Sequence, residues 1–185
     1  MSGSLLALLP LVVLAAPTRP ARPPEAPAAR AAARLCEEQT GEEGLLACRR
    51  AIELGLSSER LDAVRELLSR KLVDLERWPE LVRHLREEVA LHPDRADGQF
   101  RLGAALLFAA DQPEEALGPL REAIRLDPDR APAQAAVGVA LGALGRFEEA
   151  VAAFRAAERV DPAFFDRQPA ARAVFEAAQK AARWP

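Results

Sequence analysis

Ala96-Asp-Gly-Gln-Phe-Arg-Leu-Gly-Ala-Ala-Leu106 recurs 35 residues later as Ala131-Pro-Ala-Gln-Ala-Ala-Val-Gly-Val-Ala-Leu141. Further along the chain the offset falls to 34 residues, as between Pro128 and Pro162. One extra residue is therefore expected in the turn near Asp111 of the earlier unit. A fixed period of this length is the sequence signature of an array of stacked repeats.

The composition favours helices in each repeat. Hydrophobic residues make up 50% of the 185-residue chain and aromatic residues only 5%, so alanine and leucine supply most of the apolar content. Both are strong helix formers, and a residue before proline disfavours helical geometry, which ends a helix before Pro128 and again before Pro162. We therefore expect an all-α fold, an α-solenoid of antiparallel helix hairpins.

Small residues recur at paired positions within the repeats. Gly103 and Gly138 lie in the first helices, and Ala116 and Ala150 lie in the second helices. Glycine inside a helix costs about 1 kcal/mol relative to alanine, so its presence at the same point of two repeats needs a reason. We expect these residues to let the two helices of a hairpin approach closely.

The pattern resembles the tetratricopeptide repeat, whose signature is Trp-x2-Leu-Gly-x2-Tyr, then Ala-x3-Phe, then Pro. The matching residues here are Gln134, Val137, Gly138, Leu141, Ala150, Phe154 and Pro162, and again Gln99, Leu102, Gly103, Leu106, Ala116, Leu120 and Pro128. The resemblance implies a protein of three to four repeats: a degenerate hairpin at 29–57, a divergent repeat at 58–95, repeats at 96–130 and 131–164, and a capping helix at 165–185. The divergent repeat has Ser69 in place of the glycine and Leu81 in place of the alanine.

The N-terminal segment differs from the repeats. An apolar run over residues 5–16 would span roughly 18 Å as a helix, less than the ~30 Å hydrocarbon core of a bilayer, and prolines dominate the stretch after it. We expect a signal peptide or N-terminal anchor at 1–16 and a Pro-rich linker at 17–28. The arginine, alanine and proline bias is typical of a GC-rich bacterial genome. The expected location is the periplasm or cell envelope, with the cytoplasm or an inner-membrane anchor as alternatives.

Both cysteines lie in the hairpin at 29–57. If the protein is exported, an antiparallel hairpin brings Cys36 and Cys48 within disulfide distance. If it is not, they pack as two reduced, buried, small apolar residues. The sequence leaves both alternatives open.

Signatures of catalysis and of nucleic-acid binding are missing from the sequence. It contains no Gly-rich phosphate loop, no metal-binding cysteine spacing and no nucleophile motif. Arginines are scattered among acidic residues instead of forming a stripe, and the net charge is −3. We expect no enzyme activity, no metal, no cofactor, no small-molecule substrate and no nucleic-acid partner, and a membrane contact only through an uncleaved leader.

The resemblance also implies a binding surface, because the first helices of tetratricopeptide repeats line a concave groove that holds peptides. The corresponding positions are Glu66, Arg70, Val73, Phe100, Ala104, Leu107, Ala135, Val139 and Gly142. One hypothesis is a non-catalytic scaffold that binds a protein or peptide there. The alternative is a structural or assembly subunit that docks through its repeat ends, with Phe100 and Phe108 packed against neighbouring repeats.

Overall fold

A computed structural model describes residues 25–183, and every regular element within that range is an α-helix. The helices are α1 (Pro27–Glu38), α2 (Gly41–Leu54), α3 (Ser58–Asp74), α4 (Trp78–Leu91), α5 (Ala96–Phe108), α6 (Pro113–Leu126), α7 (Ala131–Ala143), α8 (Phe147–Val160), α9 (Phe164–Arg167) and α10 (Pro169–Ala182). Each helix packs against its near neighbours along the chain. This is the arrangement of a solenoid, so the predicted all-α architecture is confirmed.

The two ends of the solenoid differ slightly from the predicted boundaries. Helix α1 begins at Pro27, inside the range 17–28 expected to be linker, and proline suits a first helical position because no N–H is needed there. The expected capping helix at 165–185 is instead the short α9 followed by α10, which begins at Pro169. The predicted signal peptide or anchor at 1–16 lies outside the described residues.

The turns within the repeats explain the change of period. Residues 109–112 connect α5 to α6, whereas residues 144–146 connect α7 to α8, so the earlier turn is one residue longer. Asp111 in the longer turn has φ 52° and Gly145 in the shorter one has φ 73°. The extra residue predicted near Asp111 is thus confirmed.

The paired small residues lie where the helices of a hairpin meet. A Cβ atom on Gly103 would lie 2.5 Å from Cγ of Leu120, and one on Gly138 would lie 2.9 Å from three ring atoms of Phe154. Both distances are shorter than van der Waals contact. The glycines therefore let α5 pack on α6 and α7 on α8 at a separation that no other residue allows, as the sequence predicted.

Replacing Gly103 with alanine is expected to lower the free energy of unfolding by about 1–2 kcal/mol, because overpacking outweighs the better helix propensity. Gly142 in α7 is the matched control, since a Cβ there meets nothing within 4 Å. Gly142→Ala should raise the free energy of unfolding by about 0.5–1 kcal/mol. Urea unfolding followed by circular dichroism measures both, and equal effects of the two substitutions would contradict the close-approach explanation.

Candidate partner-binding groove

A groove of about 540 Å³ lies between α3 and α5, with α4 beneath it. Its lining residues are Glu66, Ser69, Arg70, Val73, Asp74, Trp78, Leu81, Leu85, Phe100, Arg101, Ala104, Ala105, Phe108 and Ala109. The buried members Ser69, Leu81, Leu85 and Ala105 form its floor. The groove, named here the α3–α5 groove, is therefore a surface feature of the divergent repeat and the repeat that follows it.

The divergence of the first repeat accounts for the position of the groove. Ser69 and Leu81 occupy the sites of the glycine and alanine that hold the later hairpins together, and both are buried. The Ser69 hydroxyl donates a hydrogen bond of 3.2 Å to the carbonyl oxygen of Arg65 in its own helix. These larger side chains hold α3 and α4 further apart than the helices of the later hairpins. Helices α5 and α7 pack directly on each other, whereas α3 and α5 do not.

Ion pairs join the N-terminal halves of α3 and α5. The Arg95 guanidinium donates a hydrogen bond of 2.9 Å to Asp62 and thereby lowers the pKa of that carboxyl group. Arg101 pairs with Glu66 and lies 3.8 Å from Glu88. These contacts close one end of the groove with charged groups that already have partners.

The other end of the groove is apolar and open. Val73 on α3 is 45% exposed and Phe108 on α5 is 68% exposed, and Trp78 lines the groove with them. The guanidinium of Arg130 lies 5.0 Å from the ring centroid of Phe100, a cation–π contact that fixes this ring. Single exposed apolar side chains are ordinary, but several on one concave surface mark an interaction site.

The structure brings together five of the nine positions assigned to the binding surface. Those that line the groove are Glu66, Arg70, Val73, Phe100 and Ala104. Leu107 does not line it, and its side chain is part of the core. Phe108, the next residue, lines the groove instead.

The three positions of the last repeat also lie outside the groove. Ala135, Val139 and Gly142 are on α7, and α7 packs directly against α5. Ala135 is buried, whereas Val139 and Gly142 are half-buried, and a Cβ on Gly142 would meet nothing within 4 Å. The α3–α5 groove therefore does not include the three α7 positions, and their assignment to the binding surface stays a prediction.

The sequence interpretation missed several residues of the site. Asp74, Trp78 and Arg101 line the groove together with the floor residues. Trp78 is the first residue of α4 and Asp74 the last residue of α3, so the repeat pattern alone gives neither a place on the concave surface. Both residues line the groove that lies between α3 and α5.

Cys36 and Cys48 are joined by a disulfide bond between α1 and α2, with their Cα atoms 4.6 Å apart. Both residues are fully buried. The turn between these helices is also tied to the next hairpin, because Nζ of Lys71 donates a hydrogen bond of 2.6 Å to the carbonyl oxygen of Gln39. The disulfide lies outside the α3–α5 groove and stabilises the α1–α2 hairpin, which precedes α3 in the chain.

The one strongly buried histidine of the described chain, His84, serves packing between helices. Its Nε2 atom lies 3.1 Å from the carbonyl oxygen of Arg65, so the neutral ring donates a hydrogen bond from α4 to α3. Burial lowers the pKa of His84, with an opposing effect of Glu88. The ring is not part of the groove lining, and it holds the separated helices α3 and α4 in place.

Two further properties bear on the chemistry of residues 25–183. No group of three or more His, Cys, Asp and Glu side chains in this range is placed to hold a metal ion. None of the described helices combines the length and the apolar character that crossing a bilayer requires.

The fold is that of tetratricopeptide repeat proteins. The chain is similar to the TPR2B domain of yeast Sti1 in its pHsp70 complex, at 22% identity over 63% of this chain and 94% of that chain, with a TM-score of 0.57. It is similar to YrrB, a TPR protein with an unusual peptide-binding site, at 21% identity over 75% of this chain and 66% of that chain, with a TM-score of 0.61. It is similar to MamA residues 41-end from Desulfovibrio magneticus RS-1, at 19% identity over 86% of this chain and 98% of that chain, with a TM-score of 0.65. No family model matches the chain, and no curated protein sequence matches it.

Proposed function

We propose that this protein is a non-catalytic scaffold that binds a segment of a partner protein in the α3–α5 groove. The observation that carries the proposal is the open apolar end of the groove, where Val73 and Phe108 expose large side chains on facing helices. Two of the structures with this fold agree with such a role: one is a TPR2B domain in a pHsp70 complex, and the other is a TPR protein with an unusual peptide-binding site. A partner side chain that covered this end would remove apolar surface from water, the main source of free energy in protein association.

The chemistry of the groove favours binding over catalysis. The one hydroxyl in its lining, that of Ser69, is engaged with a backbone carbonyl of its own helix. Glu66 is paired with Arg70 and Arg101, so it is held as a charged structural group. A nucleophile or general base needs a partner that activates it, and the lining offers no such pair.

The disulfide supports a location outside the cytoplasm. Disulfides persist in the periplasm and other oxidising compartments and are rare in the cytoplasm, and Cys36 and Cys48 are joined. This agrees with the signal peptide or anchor expected at 1–16. We therefore place the scaffold in the bacterial periplasm or cell envelope, with anchorage to the inner membrane or a cytoplasmic location as the alternatives.

Docking through a repeat end is the second candidate, and one observation favours it. Leu46 is 60% exposed and Leu35 is 47% exposed on the terminal hairpin α1–α2. At the opposite end α10 covers α8 and buries Phe175. The N-terminal end of the described solenoid therefore offers more uncovered apolar surface to a neighbouring subunit.

Ala104→Arg is expected to reduce partner binding at least tenfold, because a long charged side chain in the wall of the groove fills the space that the partner takes. Ala104 is a better site than Phe100, whose ring also holds Arg130. Ala152→Arg is the matched control, since Ala152 is exposed in the middle of α8. The measurement is capture of partners from a cell-envelope extract, quantified by mass spectrometry and followed by titration of the identified partner segment.

Both variants should keep the helical circular dichroism of the parent protein. Loss of capture by Leu46→Arg together with full capture by Ala104→Arg would favour docking through the repeat end. Turnover of a small molecule by the purified protein would contradict the non-catalytic assignment.

A further inference from the structure

Carboxylates border the apolar end of the α3–α5 groove. Asp74 is part of the lining. Glu76 and Asp111 are not lining residues; they lie in the turns that follow α3 and α5, the two helices that flank the groove, and both have positive φ, 54° and 52°. Within residues 25–183 no ion pair of 4.0 Å or less includes any of the three, in contrast to the paired carboxylates at the charged end. This border of Asp74, Glu76 and Asp111 is named here the acidic rim.

Two basic residues close in sequence to the acidic rim are engaged elsewhere. Arg77 pairs with Glu42 and Glu80, and the hydrogen bond to Glu80 raises the pKa of Arg77. Lys71 donates to a backbone carbonyl of the preceding turn. The rim therefore keeps its negative charge without compensation from these neighbours.

The position of Asp74 adds to this negative field. It is the last residue of α3, where the unpaired carbonyl groups carry the negative end of the helix dipole. A carboxylate there is unfavourable for the free protein. A cation that docks against it gains from the carboxylate and from the helix end together.

We infer that the groove selects partner segments in which a bulky apolar side chain is flanked by lysine or arginine. The apolar side chain contacts Val73, Trp78 and Phe108, and the basic side chains reach the acidic rim. This inference rests on the proposed function, because it specifies the partner of the same groove. The two requirements are independent, since one concerns apolar contact and the other concerns charge.

Three synthetic octapeptides separate the two requirements. The first is Gly-Ser-Lys-Leu-Phe-Lys-Ser-Gly, the second has glutamate in place of both lysines, and the third has serine in place of leucine and phenylalanine. Fluorescence anisotropy with the full chain at low salt should show the first binding about tenfold more tightly than the second, since each exposed ion pair contributes a few-fold. The third peptide should bind at least tenfold more weakly than the first. Raising the ionic strength to about 0.5 M should shrink the difference between the lysine and glutamate peptides, because exposed charges are then screened.

Asp74→Asn distinguishes a binding role from a structural role. It should weaken the lysine peptide about threefold, leave the glutamate peptide unchanged or tighter, and raise Tm by about 1–3 °C because an unfavourable charge leaves the helix end. A structural carboxylate would instead lower Tm on removal. Glu158→Gln is the matched control, because Glu158 is exposed in the last turn of α8, away from the groove, and it should leave all three affinities unchanged.

Each contrary result separates the charge inference from the proposed function. Equal affinity for the lysine and glutamate peptides, with both lost in Ala104→Arg, would overturn the charge selection and leave the groove as the binding site. Binding that Ala104→Arg does not reduce would overturn both. No binding of the lysine peptide at millimolar concentration would overturn the inference, while capture of partners from the envelope extract would still decide the proposed function.

Discussion

Phe154→Ala is expected to lower the free energy of unfolding by about 3–5 kcal/mol. The Phe154 ring is fully buried and is the largest of the fully buried side chains in the described core. Its centroid lies 5.2 Å from that of Phe175 and 6.1 Å from that of Phe165, and Gly138 packs against its edge. One ring thus joins α8 to α7, α9 and α10, and its removal leaves a cavity bounded by all four helices.

The loss of stability should be greatest in the C-terminal cap formed by α9 and α10. Stability in a solenoid depends on contacts between neighbouring elements, and the stacked rings of Phe165 and Phe175 would lose their shared neighbour. Hydrogen exchange should therefore accelerate most in α9 and α10, while urea unfolding measures the total loss. Phe147→Ala, at the half-buried first residue of the same helix, is the control and should have a clearly smaller effect. Equal effects of the two substitutions would show that the aromatic cluster does not hold the cap.

The repeats were predictable from the sequence because their packing is local and periodic. The glycine and alanine positions recur with the same period as the helices, and both glycines face a large residue in the partner helix, Gly103 facing Leu120 and Gly138 facing Phe154. A short turn then forces the two helices to be antiparallel neighbours. Fold class, hairpin pairing and the longer turn at Asp111 all follow from this one regularity.

The groove was only partly predictable because it arises where the regularity fails. Extending the same surface positions to every repeat assumes equal spacing of the first helices. Where Ser69 and Leu81 replace the glycine and alanine, α3 and α4 contact each other less than the helices of the later hairpins do, and half-buried Trp78 lines the groove between α3 and α5. Helices α5 and α7 pack directly on each other, which also departs from equal spacing, and Ala135 on α7 is buried.

Ion pairs that recur with the period of the repeat are also visible in the sequence. Arg95 pairs with Asp62, and one repeat later Arg130 pairs with Asp97, at 2.9 Å and 3.1 Å. Both partners of the second pair lie 35 positions after those of the first, which is the period of the repeat itself. Such a recurring pair links successive first helices and identifies which side chains lie on the surface between repeats.

Replacing both Cys36 and Cys48 with alanine is expected to lower the free energy of unfolding by about 3 kcal/mol, the loop-closure contribution of a cross-link of this span. The effect falls on the α1–α2 hairpin, in which α1 buries few large side chains. The buried residues of α1 other than Cys36 are Ala29, Ala32 and Ala33, and such short side chains bury little apolar surface. Alanine is the suitable replacement because it keeps the buried sites apolar.

The loss should be confined to one end of the molecule. Reduction with dithiothreitol should reproduce the double substitution, and hydrogen exchange should accelerate in α1 and α2 while α5 to α8 keep their protection. Because neither cysteine lines the α3–α5 groove, affinity for a partner segment should change less than twofold. The variant with alanine at both cysteine positions is its own control, because without the disulfide its stability must not depend on reductant. Equal stability of the oxidised and reduced parent protein would mean that the cross-link adds nothing to the packing of α1 on α2 and of this hairpin on α3.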